Sequence, residues 1–594
     1  MTDRDLASIA EARSLARRAK AAAPVLAEFS QEQIDAIVDA MAAAVTPHAE
    51  ALARLAHEET GYGVVADKVQ KNLFASQKVH KFIRPMKTVG VIRRLEDRKV
   101  IEIAEPFGVV CAIVPTTNPT STAIYKILIS LKARCPVVIS PHPSAVRCIA
   151  RVAEIMTEAA RGAGAPDGSI SCMTTVTLEG TQELMKSREV AVILATGGMG
   201  LVRAAYSAGK PAYGVGPGNA PAFIERTADV PKAVRDVVTG KTFDNGVLCS
   251  SENSVVVDGP VVEEVRREFV KNGGYFMSQA EIDAVAGVLL SPQRLPNPAL
   301  VGRPALVIAK AAGITVPAET RVLIAELKGV GRDYPLSIEK LSPVLSFYVV
   351  ADWREGCARC IDILRYGGMG HTMSIHSRND QVILEFGLKK PAGRIVVNTP
   401  TTHGSIGLTT GMDPAMTLGC GGWGGNITSD NISPRHLLNI KRLAYETTPA
   451  VVRPALGAEA LAKAADPTLP RPPAGTPAPG GIAADVLARR IDEFLTSRGY
   501  RPPAPPTGAP SAPVAPSAPL APLAPLAPLA PFLPPPQSQT PAVEKPADFV
   551  CEDDVRQALK QNRKIVIGER SIVTPAARDL GEQHRLFVQA SWPR

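Results

Sequence analysis

The chain contains no run of about 18 apolar residues, so nothing in it reads as a membrane span. Its start, MTDRDLASIAEARSLARRAKAAA, carries charge throughout and has no apolar centre, so no signal peptide is expected there. Aromatics are scarce at 5%, and no RRM, KH or zinc-finger pattern occurs. A net charge of +9 spread over 594 residues is too diffuse to call for nucleic acid. Nine cysteines at scattered positions, an odd number, do not form a disulfide framework and read as reduced thiols in a cytosolic setting. Cys357 and Cys360 form a lone CxxC with no second pair and no nearby histidines, so no metal site is expected. Also missing is a GxGxxG followed about 20 positions later by an acidic residue, the usual dinucleotide fingerprint.

What is present is an α/β pattern. Residues up to about 85 read as alanine-rich helices, with apolar positions three and four apart. A hairpin is expected near 88–105. Apolar strands such as VCAIV, CPVVIS, VAVILA and PAFI then alternate with helical stretches, the rhythm of βαβ units and a parallel sheet. The boundaries fall at 1–240 for a first domain, 241–415 for a second and 416–452 for a closing segment. A linker (465–481) then leads to an amphipathic helix (482–500), a Pro/Ala-rich linker (501–547) and a small module at 548–590. Ile482, Val486, Leu487, Ile491, Phe494 and Leu495 share one helical face, and so short a helix requires a partner surface. The repeat SAPLAPLAPLAPLAPF has the three-residue period of polyproline II and reads as a stiff spacer. In the last module Thr574 is expected to cap a helix that Pro575 begins.

The chemistry gathers around TFDNGVLCSSENS, in which Cys249 lies among small and polar residues. A cysteine can attack an aldehyde, and a nicotinamide can then oxidise the adduct to a thioester. Asn118, in VPTTNPTST after a buried strand, is placed to join the Cys249 N–H in an oxyanion hole at the carboxyl edge of a sheet. Two glycine-rich turns, ATGGMGLVRAA and YGVGPGNAP, offer backbone N–H groups to a pyrophosphate. No cation is evident beside Cys249 to lower its pKa.

Four long stretches carry a resemblance. KTFDNGVLCSSENSVVV, ATGGMGLVRAAYSAGKPAYGVGPGNAP, VPTTNPTSTAIYKILISLKARCPVVISPHP and TLGCGGWGGNITSDNISPRHLLNIKRLA, in this family's order, resemble the CoA-acylating aldehyde dehydrogenases over residues 5 to 450. The resemblance implies a Rossmann-like NAD- and CoA-binding domain at 1–240, a catalytic domain at 241–415 and a dimer or tetramer built through the hairpin and the strand after GGWGGN. It makes Cys249 the nucleophile and Asn118 the oxyanion-hole amide. Ser140, Pro141, His142 and Pro143, with Thr196, Gly197 and Gly198, match segments lining the adenosine and pyrophosphate site. Thr116, Gly216 and Gly218 are further cofactor positions, and Glu339 in EKLSPV resembles the glutamate that holds the nicotinamide ribose. His371 in GHTMSIH matches a family position without a derived role.

Hydrolytic members carry a glutamate in an ELGGK-like loop that activates water, and this chain has VGPGN there, with Val215 near that position. The expected reaction is therefore oxidation of a short aldehyde, propionaldehyde or acetaldehyde, by NAD, with CoA as acyl acceptor. Alternatives are an acylating sulfoacetaldehyde dehydrogenase, a reductase of acyl-phosphates and a non-catalytic scaffold. The 482–500 helix resembles the peptides that load enzymes into bacterial microcompartments, which implies shell-protein partners, with 548–590 a second docking element.

Overall fold

The computed structural model describes residues 2–450, positions 489 and 493, and most of 547–589, and the chain divides into two units, Met1–Ala455 and Leu456–Arg594. In the first unit the alanine-rich start forms the helices Asp3–Ala27, Gln31–Val45, Ala49–Thr60 and Val65–Leu73. Thr2 and Ser30 open the first two with capping boxes, each side chain taking a backbone N–H three residues on.

Two parallel sheets follow. The first has the order Ile170–Cys172, Val137–Pro141, Val109–Val114, Val190–Thr196, Ala212–Val215. Its central strand, VVCAIV, is buried throughout. Val110, Ala112 and Val114 face one core, while Val109, Cys111 and Ile113 face another, as the two-residue period of a strand covered on both faces demands. The second sheet has seven strands, Gly274–Phe276, Val322–Glu326, Val344–Val350, Glu252–Asp258, Ala220–Ile224, Gly370–His376 and Ala392–Val397, all parallel.

One placement differs from the sequence expectation. Ala220–Ile224, grouped with the first domain by rhythm, pairs with Glu252–Asp258 and Gly370–His376 in the second sheet. An apolar run reports burial on both faces but not which sheet the strand joins. The strand Leu438–Ala444 pairs with Val100–Pro106 along one edge. Together with Gly90–Leu95 it completes a three-stranded antiparallel sheet around the predicted hairpin.

In the second unit the described residues hold the helix Glu552–Lys560 and two parallel strand pairs, Phe549–Val550 with Ile572–Val573 and Ile565–Ile567 with Phe587–Gln589. Val550, Val555, Ala558, Ile565, Ala577 and Leu586 form their core. Thr574 Oγ1 accepts the Ala577 N–H at 3.4 Å, the cap the sequence predicts; residue 575 lies outside the described residues. The linkers lie outside them too, as does 482–500 apart from Arg489 and Glu493, which are helical and exposed. Among the described residues no helix is long and apolar enough to cross a membrane.

Candidate active site

Four neighbouring strands of the first sheet end on one cavity of about 480 Å³, within the range of small-molecule sites. Past the end of Val109–Val114 come Thr116 and Asn118; past Val137–Pro141 come His142 and Pro143. Thr196 ends Val190–Thr196 and Gly197 and Gly198 follow it, while Gly216 follows Ala212–Val215. Ser140 and Pro141 complete this wall, the carboxyl edge where ligands of open α/β sheets bind. Val247, Cys249, Glu339 and Leu341 close the opposite side. Segments far apart in sequence thus meet in one place.

Gly218 is the exception among the predicted positions, since it does not line the cavity. Its N–H donates to Glu339 Oε1 at 2.9 Å, and a Cβ added there would lie 2.1 Å from the Cys249 carbonyl oxygen. Only glycine allows the two backbones to come so close. Its place is behind the wall, holding Glu339 and abutting Cys249.

Cys249 ends the turn that follows Phe243–Gly246 and precedes the buried strand Glu252–Asp258. It keeps part of its surface open. Burial pushes its thiol up to about 12, with Glu339 and Cys420 adding to the rise. Arg394 pulls the other way. The sequence reading missed this cation. Arg394 is 2% exposed on the strand Ala392–Val397 and donates to Thr372 Oγ1 (3.2 Å), the Ser429 carbonyl (3.0 Å), Asn431 Oδ1 (3.3 Å) and the His371 carbonyl (2.9 Å). The Gly419 carbonyl is a fifth acceptor. A charged residue at a buried position within AGRIVV was the only signal of it.

Burial also raises the Glu339 carboxyl to about 8, against the opposing pull of the Gly218 N–H and Lys241. At neutral pH most of this carboxyl is therefore protonated. His371 does not line the cavity. It is fully buried, its Nδ1 lies 3.0 Å from Thr372 Oγ1, and burial together with Arg394 lowers it to about 3, so it is neutral.

A dinucleotide site requires unused polar groups at the strand ends, and Thr196 Oγ1 is one: it is buried on the cavity wall with no hydrogen-bond partner among the described residues. Beside it Gly198 is the N-cap of the helix Met199–Tyr206, whose first N–H groups have no partner within the helix. These residues fit a phosphate-bearing cofactor.

Comparison with known proteins agrees with this geometry. The sequence profile described as "Aldehyde dehydrogenase family" matches residues 2–280. The chain is 44% identical over 442 residues to the bifunctional aldehyde-alcohol dehydrogenase AdhE of Escherichia coli K12, covering 74% of this chain and 50% of that protein. It thus spans about half the length of the aldehyde-alcohol dehydrogenases it matches. It is 37% identical over 434 residues to the succinate-semialdehyde dehydrogenase (acetylating) of Clostridium kluyveri, covering 73% of this chain and 95% of that one. The crystal structure of an acetylating aldehyde dehydrogenase from Geobacillus thermoglucosidasius superposes with a TM-score of 0.75 at 49% identity, covering 76% of this chain and all of that one. The chain belongs to the aldehyde dehydrogenase family, in its acylating branch.

Proposed function

We propose that the protein oxidises a short uncharged aldehyde to an acyl-CoA with reduction of NAD. The observation that carries this reading is the cavity itself, lined by Cys249 and Asn118 together with Val215, an apolar side chain near the position where the resemblance implies a water-activating glutamate in hydrolytic members. Glu339 is the carboxyl on the wall, and near neutral pH burial keeps most of it protonated, in a form suited to hydrogen-bonding sugar hydroxyls.

Cys249 loses its proton to water and attacks the aldehyde carbonyl as the thiolate; the Sγ–C bond forms as the C=O π bond opens and the oxygen takes the negative charge. The Asn118 amide and the Cys249 N–H stabilise that charge. Bound in this cavity, a nicotinamide dinucleotide supplies the hydride acceptor and CoA the thiol that takes the acyl group. Ser140, Pro141, His142 and Pro143 would hold the adenosine end, Thr116, Thr196, Gly197, Gly198 and Gly216 the phosphates, and Glu339 the ribose. With no strong base poised against water, the acyl group remains on Cys249 until a better nucleophile arrives.

Among the described residues the cavity wall carries no Lys or Arg. That favours propionaldehyde or acetaldehyde over sulfoacetaldehyde or a carboxylated semialdehyde, whose anions require a counter-charge. Among the described residues the outer strands of the three-stranded sheet, Gly90–Leu95 and Leu438–Ala444, each have one unpaired edge, through which a homodimer or homotetramer would form. Loading into a microcompartment through 482–500, and through 548–590, has its support in the amphipathic sequence pattern. The test is NADH formation from propionaldehyde and NAD⁺ with and without CoA. Sustained turnover only with CoA is expected; equal turnover without it overturns the reading.

A further inference from the structure

The helix Val65–Leu73 contributes nothing to the cavity wall, yet it carries two lysines whose side chains are only 2% exposed. Lys68 Nζ donates to Asp244 Oδ2 at 3.0 Å, and Lys71 Nζ donates to the same oxygen. Asp244 Oδ1 accepts the Val64 N–H at 2.6 Å, and the Asp244 N–H donates to Asp67 Oδ2 at 2.7 Å. Buried ion clusters rarely stabilise a fold more than apolar packing would, so this one calls for another reason. A further contact supplies it: Lys71 Nζ also donates to Asn118 Oδ1 at 2.6 Å.

That bond decides which way the Asn118 amide faces. With Oδ1 held by an ammonium, Nδ2 is turned away from Lys71, and it donates to Thr117 Oγ1 at 3.2 Å. Asn118 and Thr117 line the cavity with Cys249. Positive charge on the carbonyl oxygen also polarises the amide and strengthens its N–H groups as donors. Asp244 and Asn245 hold φ of 51° and 54°, the left-handed region that non-glycine residues enter at a cost. They open the turn that ends on Cys249, and the ion cluster clamps its first residue.

We propose that Lys71 is a positioning residue for the oxyanion hole, orienting and polarising Asn118 through Oδ1 while Asp244 ties it to the turn that delivers Cys249. The proposal rests on the reading of Cys249 and Asn118 given above.

The test uses 4-nitrophenyl acetate, whose attack by Cys249 needs the thiol and the oxyanion donors but neither NAD nor CoA. The nitrophenolate burst is followed in the wild-type protein, Lys71→Met, Asn118→Ala and the double variant. Each single change is expected to slow the burst about 10²-fold, the size of losing one oxyanion donor. The double variant is expected to be within about fivefold of Asn118→Ala, because Lys71 acts through that residue. In the CoA-dependent reaction, kcat of Lys71→Met falls while the aldehyde KM stays within about threefold. Should Lys71→Met fail to fold, Lys71→Gln keeps an N–H donor without the charge; a loss of about tenfold, again absorbed by Asn118→Ala, is then expected. Losses that multiply in the double variant, toward about 10⁴-fold, overturn the proposal, as does a wild-type burst in either Lys71 variant. A wild-type protein that reacts with the ester but shows no CoA-dependent aldehyde oxidation sinks the functional reading and leaves the ester cycle to judge Lys71. A wild-type protein with no burst overturns both.

Discussion

A thiol pushed up to about 12 by burial, Glu339 and Cys420 reacts slowly with small electrophiles, because the thiolate is the nucleophile. Arg394 is the cation that opposes this, and its guanidinium is already committed to a ring of carbonyl and amide oxygens. The state of Glu339 therefore matters to Cys249. Above about pH 8 its carboxyl ionises and adds a negative charge that disfavours the thiolate. Replacing Glu339 with Gln removes that charge, so the Cys249 pKa falls and alkylation speeds up. At pH 9, iodoacetamide labelling of the Cys249 peptide in Glu339→Gln is expected to run about threefold to tenfold faster than in the wild type, since one pKa unit is worth a factor of ten. Below about pH 7, where the wild-type carboxyl is protonated, the two rates should converge. Slower labelling in the variant would show that Glu339 does not act on the thiol as an adjacent charge.

At the scale of elements, the site depends on strand ends meeting at close range. Gly218 leads into the strand Ala220–Ile224, and its missing Cβ leaves room for the Cys249 carbonyl. Gly218→Ala must push that turn aside, and a displacement of about 1 Å at a reacting group costs on the order of 10²-fold in rate. Gly287→Ala, in the helix Gln279–Leu289 and off the cavity wall, is the control, because a Cβ there meets nothing within 4 Å. Measured side by side, kcat/KM should fall steeply in the first variant and by less than about threefold in the second. Comparable loss in both would mean that the close approach is not what matters. The same elements show what a sequence reveals. VVCAIV announces a strand buried on both faces because that signal is local, whereas the reading of Cys249 as a nucleophile comes from four long stretches taken together. Lys71 and Arg394 were not legible, since each gains its meaning from partners more than 20 positions away. The sheet that Ala220–Ile224 joins was not legible either, because strand rhythm carries no information about neighbours.

Over the whole molecule, the cavity and every residue assigned to it lie within Met1–Ala455, while the 548–590 module has a small core of its own. Deleting 465–594 should leave kcat and KM for aldehyde and CoA within about twofold of the full chain. If the encapsulation reading holds, the deletion also abolishes co-purification with shell proteins. Loss of turnover in the purified truncated protein would contradict this division of labour. The central claim is that Cys249 keeps its acyl group until CoA takes it, and the peptide carrying Cys249 reports this directly. The measurement is its mass after mixing the protein with propionaldehyde and NAD⁺, before and after CoA is added. The account predicts a propionyl adduct on Cys249 that persists without CoA and disappears as propionyl-CoA forms. An adduct lost to water at the same rate with or without CoA, or turnover with no adduct on Cys249, would contradict it.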